Sequence, residues 1–190
     1  MQALSKTPAS KAYSPTLSKT LLAHNGRVLG DLRRIYLGLR YFVMQYYFAY
    51  GSNMDQEQMS VRCPSAELVS IGKLLDYRLA FTIFSPKRNC GCADIISSVG
   101  DQTYGLVYKL SDHDMLALDT FEGSPIHYHR IPVSIVTDLG IVVVNTYEVV
   151  TKQENLLPST HYLGLIQTAA KLHSFPLLYQ ARLAEVEVQK

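Results

Sequence analysis

The feature that most constrains the fold of this chain is a series of short strand-like segments between residues 46 and 150. Apolar and polar residues alternate in them, as around Leu79 and Phe81, which is typical of a strand with one buried face. Turns containing Gly and Asp at 99–102 and 138–140 predict two β-hairpins. Hairpins pair their strands antiparallel, so the pattern predicts a small, mostly antiparallel, barrel-like sheet. The predicted strands are 46–50, 68–75, 78–84, 93–97, 104–110, 130–137 and 141–150.

Helices are predicted before, between and after these strands. Ser111 is a candidate N-cap, the acids that follow it favour a first helical turn, and Gly123 ends the segment. The predicted helices are 55–61, 111–121, 160–172 and 177–186. Because the strands do not alternate with helices as βαβ units, the expected class is α+β, a barrel-like mixed β-sheet with flanking helices.

One domain with a substantial core is expected from 190 residues of which 47% are hydrophobic. Residues 1–43 hold seven Lys and Arg residues and one acid, Asp31, whereas the remainder has a net charge of −4. We therefore predict a basic, flexible N-terminal extension over 1–43 and a folded domain over 44–190. A transit peptide, or a translation start at Met44, are the alternatives for the extension. The acidic body offers no basic face for nucleic acid.

The number of cysteines indicates the redox state of the compartment in which the protein works. Three cysteines are too few and too unevenly spaced for a disulfide framework, which favours a reducing compartment and a cytoplasmic location. Cys90 and Cys92 could supply half of a metal site, but no second close pair completes a tetrahedral set. The charge-free apolar stretch at 41–54 is too short to span a membrane.

The first candidate site is the turn Gly51-Ser52-Asn53, which follows an aromatic strand. Glycine permits unusual dihedrals and close approach, so such a turn can present backbone N–H groups. These groups form a nest for a carboxylate or a developing oxyanion. A strand followed by an ordinary tight turn explains the same residues when they are considered alone.

The second candidate site is Glu122, which the helix 111–121 delivers beside Gly123. The partial negative charge of a helix C-terminus, and Asp119 three residues earlier, are both expected to raise the pKa of Glu122, as burial would. A carboxyl group with a raised pKa suits general acid/base chemistry near neutral pH. An exposed glutamate at a helix end is the commoner arrangement for such a residue alone.

Motifs along most of the chain together resemble those of the γ-glutamylcyclotransferases. The first is Tyr50-Gly51-Ser52-Asn53, and the second is Leu118-Asp119-x-x-Glu122-Gly123 preceded by the segment 104–108. The other matching segments are Cys63-Pro64-Ser65-Ala66, Gly91-Cys92-Ala93-Asp94-Ile95, Tyr128-x-Arg130, and Pro158-Ser159-x-x-Tyr162 with the apolar positions after it. They follow the family's order between residues 46 and 183.

The resemblance implies a γ-glutamylcyclotransferase-like fold and a catalytic domain over 44–190. It implies an enzyme that converts a γ-glutamyl amino acid or peptide to 5-oxoproline and a free amine, with Glu122 as general acid/base. The partner is then a small-molecule γ-glutamyl substrate, without cofactor, metal, membrane or nucleic acid; a homodimer, and glutathione as a substrate, are left open. The residues implied for substrate binding are Tyr50, Gly51, Ser52, Asn53, Tyr128 and Tyr162.

Other functions remain open on the residues alone. A metal enzyme could use His127 and His129 on one strand face with Glu122, although a third spaced ligand is missing. A serine hydrolase based on Ser52 would lack the Gly-x-Ser-x-Gly elbow, and a nucleotide site would lack its glycine fingerprint. A cyclotransferase for γ-glutamylamines, and a non-catalytic protein that binds a small molecule in the same cavity, are the further alternatives.

Overall fold

Five strands close into a barrel in the part of the chain that the computed structural model describes, residues 44–190. The order around the barrel is β1-β3-β2-β4-β5, and only the contact of β1 with β5, at Tyr47 and Asn145, is parallel. The predicted extension, 1–43, lies outside the described residues. The strands are β1 Met44–Ala49, β2 Glu67–Ser85, β3 Cys90–Ser111, β4 Tyr128–Thr137 and β5 Gly140–Val149.

Four α-helices flank the barrel within these residues, in agreement with the expected class. They are α1 Gln56–Arg62, α2 Asp112–Glu122, α3 Thr160–Leu172 and α4 Leu177–Ala184, and a 3₁₀ turn covers Ser52–Met54. Three of them start where a side-chain oxygen accepts a backbone N–H: Asp55 caps α1, Ser111 caps α2 and Ser159 caps α3. The prediction for α2 and its N-cap is therefore confirmed, and the bounds of α3 are those predicted.

The predicted hairpin around residues 99–102 is wrong. β3 is one strand of 22 residues, and it pairs with β2 over most of its length. The register shifts between Leu75 and Tyr77, where Asp76 has a positive φ of 59° and its carboxylate accepts the Gly100 N–H at 2.9 Å. The Gly and Asp residues thus form an irregularity within a long pair of strands. The predicted segments 68–75 and 78–84 belong to one strand, β2, because the irregularity interrupts the pairing without ending the strand.

Close packing around Phe48 positions the end of β1. Its ring is fully buried, and a Cβ added at Gly105 would lie 2.7 Å from it and 2.2 Å from the Ala49 carbonyl oxygen. A glycine is therefore required where β3 crosses β1. This contact holds the strand that leads into Tyr50 and the Gly-Ser-Asn turn.

Two findings on residues 44–190 bear on the class of protein. No helix there combines the length and the apolar character needed to cross a membrane. Cys63, Cys90 and Cys92 are all buried and unpaired. Burial raises the pKa of the Cys63 thiol to about 12 and that of Cys92 to about 11, so both remain protonated and unreactive near neutral pH.

Candidate active site

The end of β1 and the end of α2 meet at a small pocket, called the inner pocket below. It contains all seven residues that the sequence analysis assigned to catalysis and substrate binding, together with three that it missed. The seven are Tyr50, Gly51, Ser52, Asn53, Glu122, Tyr128 and Tyr162. The three that were missed are Tyr47, Ala93 and Tyr147.

Asn53 connects the two candidate sites. Its Nδ2 donates to Glu122 Oε1 at 3.0 Å and to the Tyr47 hydroxyl at 2.9 Å. Glu122 reaches this position because Gly123, with a φ of 63°, ends α2 in a left-handed cap. The amide of the Gly-Ser-Asn turn therefore orients the carboxylate that α2 supplies, across 69 residues of sequence.

Burial raises the pKa of Glu122, whose side chain is 17% exposed. Arg62, the amide of Asn53 and Arg88 act in the opposite direction but do not cancel it. The pKa is shifted in the predicted direction, but burial is the cause, and the contributions expected from the helix C-terminus and from Asp119 are not found. Asp119 instead accepts the Tyr147 hydroxyl at 2.7 Å and lies 3.5 Å from Arg130 Nη2.

Arg62, at the end of α1, contacts both Asn53 and Glu122. Its Nη1 donates to Asn53 Oδ1 at 2.7 Å and lies 3.5 Å from Glu122 Oε1, and its guanidinium covers the Phe121 ring at 4.9 Å. Gln58 Nε2 donates to the same Asn53 oxygen at 3.0 Å. Sequence reasoning missed Arg62, because a basic residue in the last turn of a helix is also the ordinary response to the helix dipole.

The turn itself suits an anion. Ser52 and Asn53 begin the 3₁₀ turn, where backbone N–H groups have no acceptor within the turn. Ser52 Oγ accepts from Gln58 Nε2 at 3.1 Å and from Arg88 Nη2 at 3.3 Å. A Cβ on Gly51 would lie 3.0 Å from Ala93 Cβ, so the missing side chain lets the turn approach β3 closely.

Three of the tyrosine hydroxyls of the inner pocket contact the backbone. Tyr50 donates to the Tyr147 carbonyl at 2.6 Å, and Tyr128 donates to the Ala93 carbonyl at 2.9 Å. The Tyr162 hydroxyl accepts the Ala93 N–H at 3.0 Å. Burial raises the pKa of Tyr50, Tyr128 and Tyr162, so these walls are neutral.

The inner pocket adjoins a wide groove, called the outer groove below, with a volume of about 1160 Å³. Ser52, Glu122, Tyr128 and Tyr162 line both. The remaining walls of the groove come mainly from α1, from the end of β2 and the loop that follows it, from the end of α2, and from the start of α3. A substrate can therefore place a small reacting group inside and a second group outside.

The histidines of the metal alternative do not assemble with Glu122. His127 precedes β4, and its ring packs against Gly123. His129 lies in β4, where its Nε2 is 3.9 Å from a carboxylate oxygen of Glu148 on β5. Within residues 44–190, no group of three or more His, Cys, Asp or Glu side chains could hold a metal ion.

Comparisons with known proteins identify relatives of this chain. Residues 102–183 match the model of the AIG2-like family. The chain is 34% identical over 146 residues to proteins named gamma-glutamylcyclotransferase from Bos taurus and Homo sapiens, covering 74% of this chain and 78% of each relative. A solved structure named gamma-glutamyl cyclotransferase is 31% identical, with a TM-score of 0.73 over 77% of this chain and 90% of that chain.

Proposed function

The chain belongs to the γ-glutamylcyclotransferase family, and from this premise we propose that it converts γ-glutamyl amino acids or peptides to 5-oxoproline and the free amine. The observation that carries the proposal is the Glu122 carboxylate. Its side chain, 17% exposed, lies in the inner pocket and is oriented by the Asn53 amide at 3.0 Å. A buried carboxylate with a raised pKa, beside a turn that presents N–H groups, supplies a proton acceptor and an anion site together.

The reaction begins with the α-ammonium group of the substrate. Glu122 takes one of its protons, and the neutral amine attacks the γ-carbonyl carbon of the same molecule. The pocket holds the flexible γ-glutamyl chain in the folded conformer that this attack needs, which removes most of the entropic cost of ring closure. A five-membered tetrahedral intermediate with a negative oxygen results.

The intermediate then expels the leaving nitrogen. The N–H groups of Ser52 and Asn53 stabilise the oxyanion, and Glu122 returns its proton to the leaving nitrogen as the C–N bond breaks. The ring nitrogen then gives its second proton to the Glu122 carboxylate, which passes it to the freed amine, so that the amine leaves as an ammonium ion. The products are 5-oxoproline and an amine, and no water is consumed. The Tyr162 hydroxyl lines the inner pocket and contacts the substrate from α3.

The test compares γ-glutamyl-alanine with its Nα-acetyl derivative. We expect the purified protein to release 5-oxoproline and alanine in equal amounts from the first substrate and nothing from the second, because an acetylated α-amine cannot attack. Both products are quantified by liquid chromatography with mass detection. Release of glutamate in place of 5-oxoproline would identify a hydrolase, and binding of either compound without turnover would favour the binding-protein alternative.

Arg62 sets the pH at which the proposed base works. Arg62 lowers the pKa of Glu122, so Arg62→Met should raise that pKa further. The carboxylate form then disappears at a higher pH as the solution is acidified, and the acid limb of the pH profile of kcat/KM should move to higher pH. Arg62→Lys keeps the charge and should move the limb less. If the acid limb of the profile is the same in Arg62→Met and the wild type, Arg62 does not set the pKa of the catalytic base.

The same proposal extends to location. We propose a reducing compartment, the cytoplasm, and a role in the turnover of γ-glutamyl compounds such as those formed in glutathione metabolism. The support is the set of three unpaired thiols, Cys63, Cys90 and Cys92, buried in the core around the site.

A further inference from the structure

Arg88 is a half-buried cation without a carboxylate partner. Arg62, Arg130, Lys152 and Arg182 each have a carboxylate oxygen within 4.0 Å, whereas Arg88 has none among residues 44–190. Its polar partners are neutral: Nη2 donates to Gln58 Oε1 at 2.8 Å and to Ser52 Oγ at 3.3 Å. Its positive charge is therefore held in place but not compensated by direct contact.

The guanidinium is also oriented for a ligand. Its Cζ lies 4.9 Å from the centre of the Tyr162 ring, and the two hydrogen bonds use Nη2 alone. The N–H groups on Nε and Nη1 make no hydrogen bond to the described part of the chain. Such a fork can bind a carboxylate through two parallel hydrogen bonds, and the ordering of the side chain has already been achieved in the free protein.

The position of Arg88 selects which half of a substrate it meets. It lies in the loop between β2 and β3 and lines the outer groove, whereas it does not line the inner pocket. Ser52, which it contacts, lines both. If the inner pocket takes the γ-glutamyl group, as proposed above, the group that leaves as an amine extends into the outer groove towards Arg88.

We propose that Arg88 binds the free carboxylate next to the scissile nitrogen and is the residue through which this protein distinguishes a γ-glutamyl α-amino acid from its amide. The inference rests on the proposed function and deepens it by assigning a residue that determines specificity. Arg62, the other arginine in the groove, is not available for this task because Asn53 and Glu122 occupy it. The carboxylates of Asp55 and Glu57 and the ammonium group of Lys87 also line the groove, so charges of both signs surround Arg88 and the discrimination rests on its specific contact with the carboxylate.

The experiment measures a ratio of two substrates on one sample. The substrates are γ-glutamyl-alanine and γ-glutamyl-alaninamide, which differ in one group: a charged carboxylate in the first and a neutral carboxamide of the same size in the second. We expect the wild type to favour the first in kcat/KM by roughly 10- to 100-fold, the range of a charge-assisted bidentate contact. Arg88→Gln should bring the ratio close to one. The ratio is independent of the fraction of folded enzyme, because both substrates report on the same active molecules.

Two further variants make the result specific. Arg88→Lys keeps the charge without the fork and should give an intermediate ratio. Lys87→Gln removes the same charge from the adjacent position of the groove and should leave the wild-type ratio. A wild-type ratio near one, a wild-type ratio retained in Arg88→Gln, or an equal loss in Lys87→Gln would each overturn the inference. No 5-oxoproline from either substrate would instead be the failure of the proposed function, which this outcome identifies separately.

Discussion

Glu122→Gln is expected to lower kcat for 5-oxoproline release by about 10²- to 10⁴-fold, the contribution of a positioned acid/base. The amide has the size of the carboxylate, and its oxygen can still accept the Asn53 Nδ2 hydrogen that Glu122 Oε1 accepts now. It cannot take the ammonium proton of the substrate. The loss should therefore appear in kcat, while KM changes little.

The measurement is the rate of 5-oxoproline formation from γ-glutamyl-alanine across pH. The wild type should lose activity as its carboxylate becomes protonated, and the residual activity of the variant should lack this acid limb. Asp119→Asn is the matched control, because it removes a carboxylate one turn earlier on the same helix, where Tyr147 and Arg130 contact it. We expect its effect on kcat to be below about tenfold. Equal rates for Glu122→Gln and the wild type would remove Glu122 from the mechanism.

Asp94→Ala is expected to lower the free energy of unfolding by about 2 to 4 kcal/mol. Asp94 is fully buried in β3, where it accepts from Thr82 Oγ1 at 2.6 Å, from Lys152 Nζ at 2.7 Å and from the Val149 N–H at 2.9 Å. Removing it leaves a buried hydroxyl and a buried N–H without a partner. The side chain of Lys152 is 34% exposed and can turn to water, so the cost stays below that of a fully buried ion pair.

Urea and thermal unfolding followed by circular dichroism test this prediction, with a decrease in Tm of roughly 5 to 15 °C expected for a domain of this size. Asp138→Ala, in the exposed turn between β4 and β5, is the control and should stay within about 0.5 kcal/mol of the wild type. Asp94 follows Ala93, whose N–H and carbonyl contact the hydroxyls of Tyr162 and Tyr128. Unchanged stability would mean that Asp94 and its ion pair are dispensable to this wall of the pocket.

Local elements of the fold could be predicted because their signals lie within a few residues. Ser111 and Gly123 bracket α2 in the structure as expected. The hairpin of β4 and β5 has its turn at the predicted place. The hairpin around Gly100 was wrong, because a bulge and a turn use the same residue types. Which one forms depends on a partner strand, and here the partner, at Asp76, lies 24 residues away.

The residues of the site also fall into those that the sequence could predict and those that it could not. The Gly-Ser-Asn turn and Glu122 could be named from motifs, since their residue types match the chemistry of an oxyanion and a proton. The roles of Tyr47 and Arg62 could not, because neither carries a local sign of its contact with Asn53. Arg88 was also missed, because a single arginine in a loop gives no local sign of its contacts with Ser52 and Gln58.

The sequence by itself determined the class of fold, the positions of the helices to within one or two residues at each end, and the family, because caps, alternation and short motifs are properties of neighbouring residues. Only the tertiary structure decided that Asn53 holds Glu122, that burial raises the pKa of this carboxyl, and that Arg88 lacks a carboxylate within reach. Each of these depends on distance and on exclusion of water, and closure of the barrel sets both by bringing β1, α1, α2 and the β2–β3 loop to one place.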